Sequence, residues 1–409
     1  MRSICLSIVS LMIMLILSGC WNRTELNELG IVVATGVDFK DGQWTISYQV
    51  IVPSNMASGN GGSSAGTSQP AVHVFSVNST AIHQALNLSN LEHPRRVYVA
   101  HNKVLVIGKS AAEQGVGELM DFYFRNTEPR ETVLMALTEG QAIDILNKLS
   151  PPEKLPGSSL SDMLTKESDQ VSAYPVISVF NFALKMNSDA KGISVPVIDL
   201  AGDKSDNREE ELETEDVLKQ TQQPLKMKIT KLGIFHKDRL VGELNYNESF
   251  GLSWLTGDIH RTELSFPCSK GDQTQERAGF TVNSSKTKIT PRKSGSHYVM
   301  QIKVKLKGVL TESTCRQDLS NPKVIREIEA QIDQQIEDFI HTGWSAMKRL
   351  KTDTAGFADK IHRKFPSDWR QIKDDWQDEL ARMELDIQVQ STIRRTGLIQ
   401  KSFEQSEQD

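Results

Sequence analysis

Cysteine is scarce in this chain: four among 409 residues, at positions 5, 20, 268 and 315. So few cannot staple a disulfide scaffold, and none stands in the close pairs that zinc or iron–sulfur sites require, so no metal or cofactor is expected. A basic excess is lacking too. The 47 Lys and Arg are outnumbered by 52 Asp and Glu and form no stripe for a phosphate backbone, which argues against nucleic acid as a partner. An apolar run long enough to span a bilayer, about 20 residues, is also missing; the greasiest segment, residues 4–17, has 14. What remains, 38% hydrophobic and 24% charged residues, suits an ordered globular chain too long for one ordinary core.

Arg2 is the only charge ahead of that apolar run, which has the length of an export signal's h-region. Leu17-Ser18-Gly19-Cys20 then supplies a branched apolar residue, two small residues and a cysteine, the lipobox pattern of bacterial lipoproteins. The pattern implies cleavage after Gly19 and a diacylglyceryl group on the Cys20 sulfur. One acyl chain holds a protein marginally, whereas two or more, at about 0.8 kcal/mol per buried methylene, hold it stably. Residues 1–19 therefore read as a lipoprotein signal peptide and Cys20 as a lipidated first residue.

Beyond the anchor, residues 30–37 and 44–52 flank Asp41-Gly42 as a hairpin. The Gly/Ser-rich stretch 54–69 reads as a mobile insertion, because a strand pattern resumes at 71–77. Helical periods at 80–91, 113–124 and 141–149 alternate with strand patterns at 97–107 and 132–138, so residues 20–155 are expected to form a mixed α/β domain. Pro151, Pro152 and Pro156 then open a less regular region, 156–222, with short strand candidates at 176–180 and 193–198. It ends in an acidic loop, 202–216, with eight acids and two bases. Residues 223–400 are expected to form a C-terminal domain. Strand patterns at 224–235 and 239–244 precede an antiparallel meander at 263–268, 279–289 and 298–310. Asn321-Pro322 starts a long helix whose stripe of Ile325, Ile328, Ile332, Ile336, Phe339 and Met347 should lie on the sheet. Helices at 355–364 and 367–381, a strand at 383–393 and a polar tail at 401–409 follow.

Reaction motifs do not fit. The "IGKS" at residues 107–110 would need glycine five positions before Gly108 to make a phosphate loop, and Lys103 stands there. "GLSWL" carries Leu255 where a nucleophile elbow needs glycine. Histidines 73, 83 and 93 are ten apart, matching neither helix nor strand, and read as unrelated. Cys268 and Cys315 invite a disulfide in an exported chain. Across a three-strand meander Cys268, ending the first strand, sits about 9.6 Å from Leu310, ending the third, beyond the usual limit of about 7 Å for bridged α-carbons, so only residues 311–315 curling back could close the gap.

With these features together, the chain resembles the Ger(x)C family, the lipoprotein C subunit of bacterial spore germinant receptors. The resemblance rests on Cys20, Trp21, Glu25, Leu26, Gly36 and Asp38 in the opening "GCWNRTELNELGIVVATGVD". It continues through Arg96, His101, Gly108, Arg125 and Arg130 in the central segment, then "GLSWLTG", then Trp369, Trp376, Arg394, Arg395 and Gly397 near the end. It implies an α+β, three-lobe mixed α/β ectodomain whose C-terminal lobe is an antiparallel sheet covered by a long amphipathic helix and shorter helices. It further implies a non-catalytic subunit on the outer face of the spore inner membrane, working with integral-membrane A and B subunits. Trp21, Arg96, Arg125 and Arg130 become candidates for partner contact or for a structural role. The alternative is a solute-binding lipoprotein that delivers a nutrient to a permease; a surface hydrolase is the weakest reading.

Overall fold

The computed structural model describes residues 24–56, 70–202, 208–221, 225–267, 277–295, 297–315 and 318–395. Cys20, Trp21, Cys268 and Gly397, most of the Gly/Ser-rich insertion, part of the acidic loop and the polar tail lie outside them.

Strands β1 (Leu29–Lys40) and β2 (Gln43–Ile51) form the expected hairpin, with Asp41 and Gly42 both at positive φ, 52° and 77°. Two left-handed residues give the turn the twist of the strands it joins. Strand β3 (Val72–Ser79) continues antiparallel on β2. On the other side of β1 the chain adds β4 (Arg96–Tyr98), β5 (Val104–Gly108) and β6 (Leu134–Thr138) in parallel pairings. All five residues of β5 are buried, the pattern of a strand covered on both faces. The covers are α1 (Ile82–Glu92), α2 (Lys109–Gln114) and α3 (Gly117–Arg125) on one face, and α4 (Ala142–Leu146) and α5 (Pro156–Gln170) on the other. The single helix expected at 113–124 is broken at Gly115, whose φ of 116° no helix accommodates.

The first sheet does not stop near residue 155. Strands β7 (Gly192–Gly202), β8 (Leu225–His236) and β9 (Arg239–Leu244) complete its order, β3-β2-β1-β5-β6-β7-β8-β9, with β4 beside β1. The expected boundaries at 155/156 and 222/223 therefore cut through one sheet. Prolines suggested the first boundary, but Pro156 starts α5, where its missing N–H costs nothing. The strand expected at 176–180 instead leads into α6 (Val179–Met186), capped by Ser178, whose hydroxyl accepts the Asn181 N–H at 3.3 Å. Within the described part of the acidic stretch Glu210, Glu211, Glu213 and Asp216 are exposed, while Leu212 is buried and Glu213 pairs with Lys148 at 2.6 Å.

After α7 (Tyr246–Thr256), a second sheet follows: β10 (Thr262–Pro267), β11 (Arg277–Ser294) and β12 (His297–Ser313) in the expected antiparallel meander. The long helix α8 (Pro322–Arg349) starts as expected, the Asn321 side chain accepting the Lys323 N–H at 2.9 Å. Its buried stripe runs through Ile328, Ile332, Ile336, Ile340, Trp344 and Met347. Helices α9 (Phe357–Lys364), α10 (Pro366–Ile372) and α11 (Trp376–Arg382) follow. Strands β13 (Glu384–Gln390) and β14 (Ile393–Arg395) then join parallel to β12, because a helical crossover returns the chain to the sheet in the same direction. One apolar core joins a face of the first sheet to the second sheet, so the α+β architecture is continuous.

Cys315 is buried and disulfide-bonded. β12 keeps register with β11 as far as Ser313 opposite Ala278, and the Thr314 N–H still donates to the Arg277 carbonyl at 3.0 Å, so only Cys315 lies beyond the paired strands. The other cysteines, Cys5, Cys20 and Cys268, all lie outside the described residues.

Candidate functional site

Strands β1, β4, β5 and β6 run parallel, so the segments leading into them gather at one end of the sheet. The chain reaches that end through Leu26, which is 71% exposed, and Leu29, paired with Arg96. Residues 93–103 and 126–133 arrive there too, and with them Arg96, His101, Arg125 and Arg130. Sequence alone gave no reason for these side chains to share an end; the parallel topology supplies it.

Each arginine has its own setting. Arg96 Nη2 meets Glu128 Oε2 at 2.6 Å, while Glu128 Oε1 accepts the Val99 N–H at 3.0 Å, so this pair clips one incoming loop to the other. Arg125 pairs with Asp121 one turn back on α3, at 2.7 Å, and stays largely exposed. It helps line a cleft of about 470 Å³ with His83, Glu118 and Phe122. Arg130 lines a separate, polar cleft of about 340 Å³ with His101, Asn102, Lys103, Thr132 and Ser161. Lys103, which served in the sequence only to disqualify a phosphate loop, was missed as a candidate. Its neighbours come from three segments far apart in the chain, and no spacing rule links them.

Several signature residues are structural. Asp38 lies at the opposite end of the sheet, 7% exposed, with both carboxylate oxygens 3.0 Å from the Ala142 N–H at the start of α4. Burial pushes its pKa up to about 6, against the lowering effect of the Ala142 and Ile143 N–H groups. Gly108 leaves room for this carboxylate, since a Cβ there would lie 1.9 Å from Asp38 Oδ1, and a Cβ on Gly36 lies within 3.0 Å of Ala142. Gly251, in "GLSWLTG", lets α7 cross α8: a Cβ there would sit 1.9 Å from the Phe339 carbonyl oxygen, and one on Gly343 2.4 Å from the Leu252 nitrogen. Trp369 and Trp376 pack edge to face at 5.2 Å, with His362 stacked on Trp369 at 5.7 Å. His73 and His93, read as unrelated, stack with Phe75 at 6.1 and 5.1 Å, because β3 brings His73 beside the loop that follows α1.

A charge quartet beyond the carboxyl ends of β5 and β6 also escaped the sequence reading. Lys109 bonds Glu139 at 3.1 Å and Glu243 at 3.2 Å, and Lys231 bonds Glu243 at 2.9 Å and also Glu139. The Lys231 hydrogen bond is the main reason that the Glu139 pKa falls to about 2. Among the described residues, no three His, Cys, Asp or Glu are grouped to hold a metal, and no helix is long and apolar enough to cross a membrane.

Comparison with known proteins gives this arrangement a lineage. Residues 22–200 match the family model described as spore germination protein N-terminal domain, and residues 230–397 match that described as spore germination B3/GerAC like, C-terminal. Spore germination protein KC of Bacillus subtilis (strain 168) is 29% identical over 405 residues, covering 97% of each chain. Spore germination protein B3 of the same organism is 25% identical over 401 residues, covering 96% of this chain and 98% of that one. The crystal structure of the GerBC protein superposes with a TM-score of 0.55 at 19% identity, covering 88% of this chain and 96% of that one, a likeness of fold. With both domain models matched in order and relatives aligned nearly end to end, this chain belongs to the Ger(x)C family of spore germination proteins.

Proposed function

We propose that the chain is the lipid-anchored, non-catalytic C subunit of a spore nutrient-germinant receptor, needed for nutrient-triggered germination. It works on the outer face of the spore inner membrane with integral-membrane A and B subunits. The observation that carries this reading is where the chain enters the fold. Leu29 pairs with Arg96 at the loop end of the first sheet, nine residues after the lipobox cysteine. Nine residues reach at most about 30 Å. A diacylglyceryl group on Cys20 therefore holds Arg96, Arg125 and Arg130 near the bilayer, within reach of membrane-embedded partners. The names of the relatives, spore germination proteins KC and B3, support the same role.

The test is affinity purification of the tagged chain from detergent-solubilised spore inner membranes, with quantification of the A and B subunits. Co-recovery of both in comparable amounts is expected. Recovery of the chain alone, together with normal nutrient germination of spores that lack it, would overturn the reading.

A further inference from the structure

The cleft around Arg130 differs from the charge quartet and from the settings of Arg96 and Arg125. At the quartet, two lysines are neutralised by two glutamates, and Arg96 and Arg125 each have a carboxylate partner. Lys103 and Arg130 line one cleft and have no carboxylate partner among the described residues, and no carboxylate lines it. Both side chains are exposed, so the cleft presents two positive charges to solvent with no carboxylate lining it, a local positive potential that favours an anion.

The cleft is also built. The backbone of Lys103 is fixed on both sides: its N–H donates to the Val33 carbonyl at 3.0 Å, and its carbonyl accepts the Leu134 N–H at 3.0 Å. The loop carrying Arg130 is held by the Glu131 carbonyl, which accepts the Phe180 N–H at 2.9 Å. Thr132 and Ser161 add hydroxyl groups, and His101 adds a ring nitrogen. Asn102 is 6% exposed; it donates an Nδ2–H to the Tyr123 hydroxyl at 3.3 Å, and its Oδ1 is buried without a partner.

We propose that the cleft of His101, Asn102, Lys103 and Arg130 binds a phosphate group, carried by a membrane lipid headgroup or by a free small anion. Arg130 and Lys103 supply the charge, and the Thr132 and Ser161 hydroxyls add donors for the several acceptor oxygens of a phosphate. Only the lipid source rests on the anchored-subunit reading, which keeps this end of the sheet near the bilayer.

The experiment uses the full chain in detergent micelles, titrated by calorimetry with inorganic phosphate, with dihexanoyl phosphatidylglycerol, and with phosphate-free dihexanoylglycerol as control. Saturable heat with inorganic phosphate identifies a free anion. Saturation by the phosphatidylglycerol alone identifies a headgroup. In either case Lys103→Gln and Arg130→Gln each weaken binding about tenfold, whereas Arg130→Lys retains most of it. An unchanged thermal midpoint shows that the variants are folded, and if one is not, the other supplies the readout. No saturation with either phosphate probe, or binding that both variants leave intact, overturns the proposal, as does saturable binding of a glutamate-rich peptide alone. Failure of the lipid anchor would appear in membrane fractionation and leave the phosphate titration unchanged.

Discussion

The buried Asp38 carboxylate makes folding stability depend on pH in a way that one substitution isolates. Its pKa rises from 3.8 to about 6 on folding, so the native state holds a proton that the unfolded chain has released. Between about pH 4 and pH 6 stability therefore falls as pH rises, and above pH 6 the full cost is present. Two pKa units correspond to about 3 kcal/mol. Asp353 and Glu167 are raised to about 6 and about 7 by burial and slope the same way, so the absolute pH profile cannot single out Asp38. The difference between wild type and Asp38→Asn can. The asparagine keeps an oxygen for the Ala142 N–H and carries no charge to bury. Denaturant unfolding of both proteins at pH 4 and pH 7 is expected to show the variant gaining up to about 3 kcal/mol relative to wild type between the two. A difference that stays flat with pH, or moves the other way, refutes the account of Asp38 as a buried, proton-holding cap.

Three further outcomes follow from the packing and the charges. Gly251→Ala drives a methyl into the Phe339 backbone at the α7–α8 crossing and should cost about 3 kcal/mol, whereas Gly295→Ala, with nothing within 4 Å, costs only about 1 kcal/mol for its positive φ; equal losses in denaturant melts would contradict the close approach. Glu139 has its pKa lowered to about 2, so its contribution is present above its unfolded pKa and lost as pH falls toward 2. Glu139→Gln should cost about 1 kcal/mol at neutral pH, less in high salt, and an effect that grows with salt would count against the network. Peptide mapping without reduction should recover Cys315 joined to Cys268; two free thiols would exclude that pairing.

Local rules were legible where local chemistry decides. Asp41-Gly42 announced its hairpin, Asn321-Pro322 its helix, and the strand patterns at 263–268, 279–289 and 298–310 the meander. The chain was misread where distant partners decide. Pro156 looked like a boundary but opens a helix inside the first lobe, and β7 joins β6 chiefly through Leu137 opposite Val197, a pairing that no periodicity encodes. The candidate arginines could be picked out but not placed, since only parallel strands bring Arg96 and Arg130 to one end. Lys103 stayed hidden because its significance lies in what does not pair with it, a property of three dimensions. Asp38 and Gly108 stood in the sequence as separate signature residues; the structure makes them one contact.

The central claim is that lipid on Cys20 holds the loop end of the first sheet at a membrane. Mass spectrometry of the amino-terminal peptide from the membrane-extracted chain tests it most directly. The expected peptide begins at Cys20, lacks residues 1–19 and carries a diacylglyceryl thioether. A peptide that retains residues 1–19, or an unmodified Cys20 thiol in the membrane-bound protein, would contradict it.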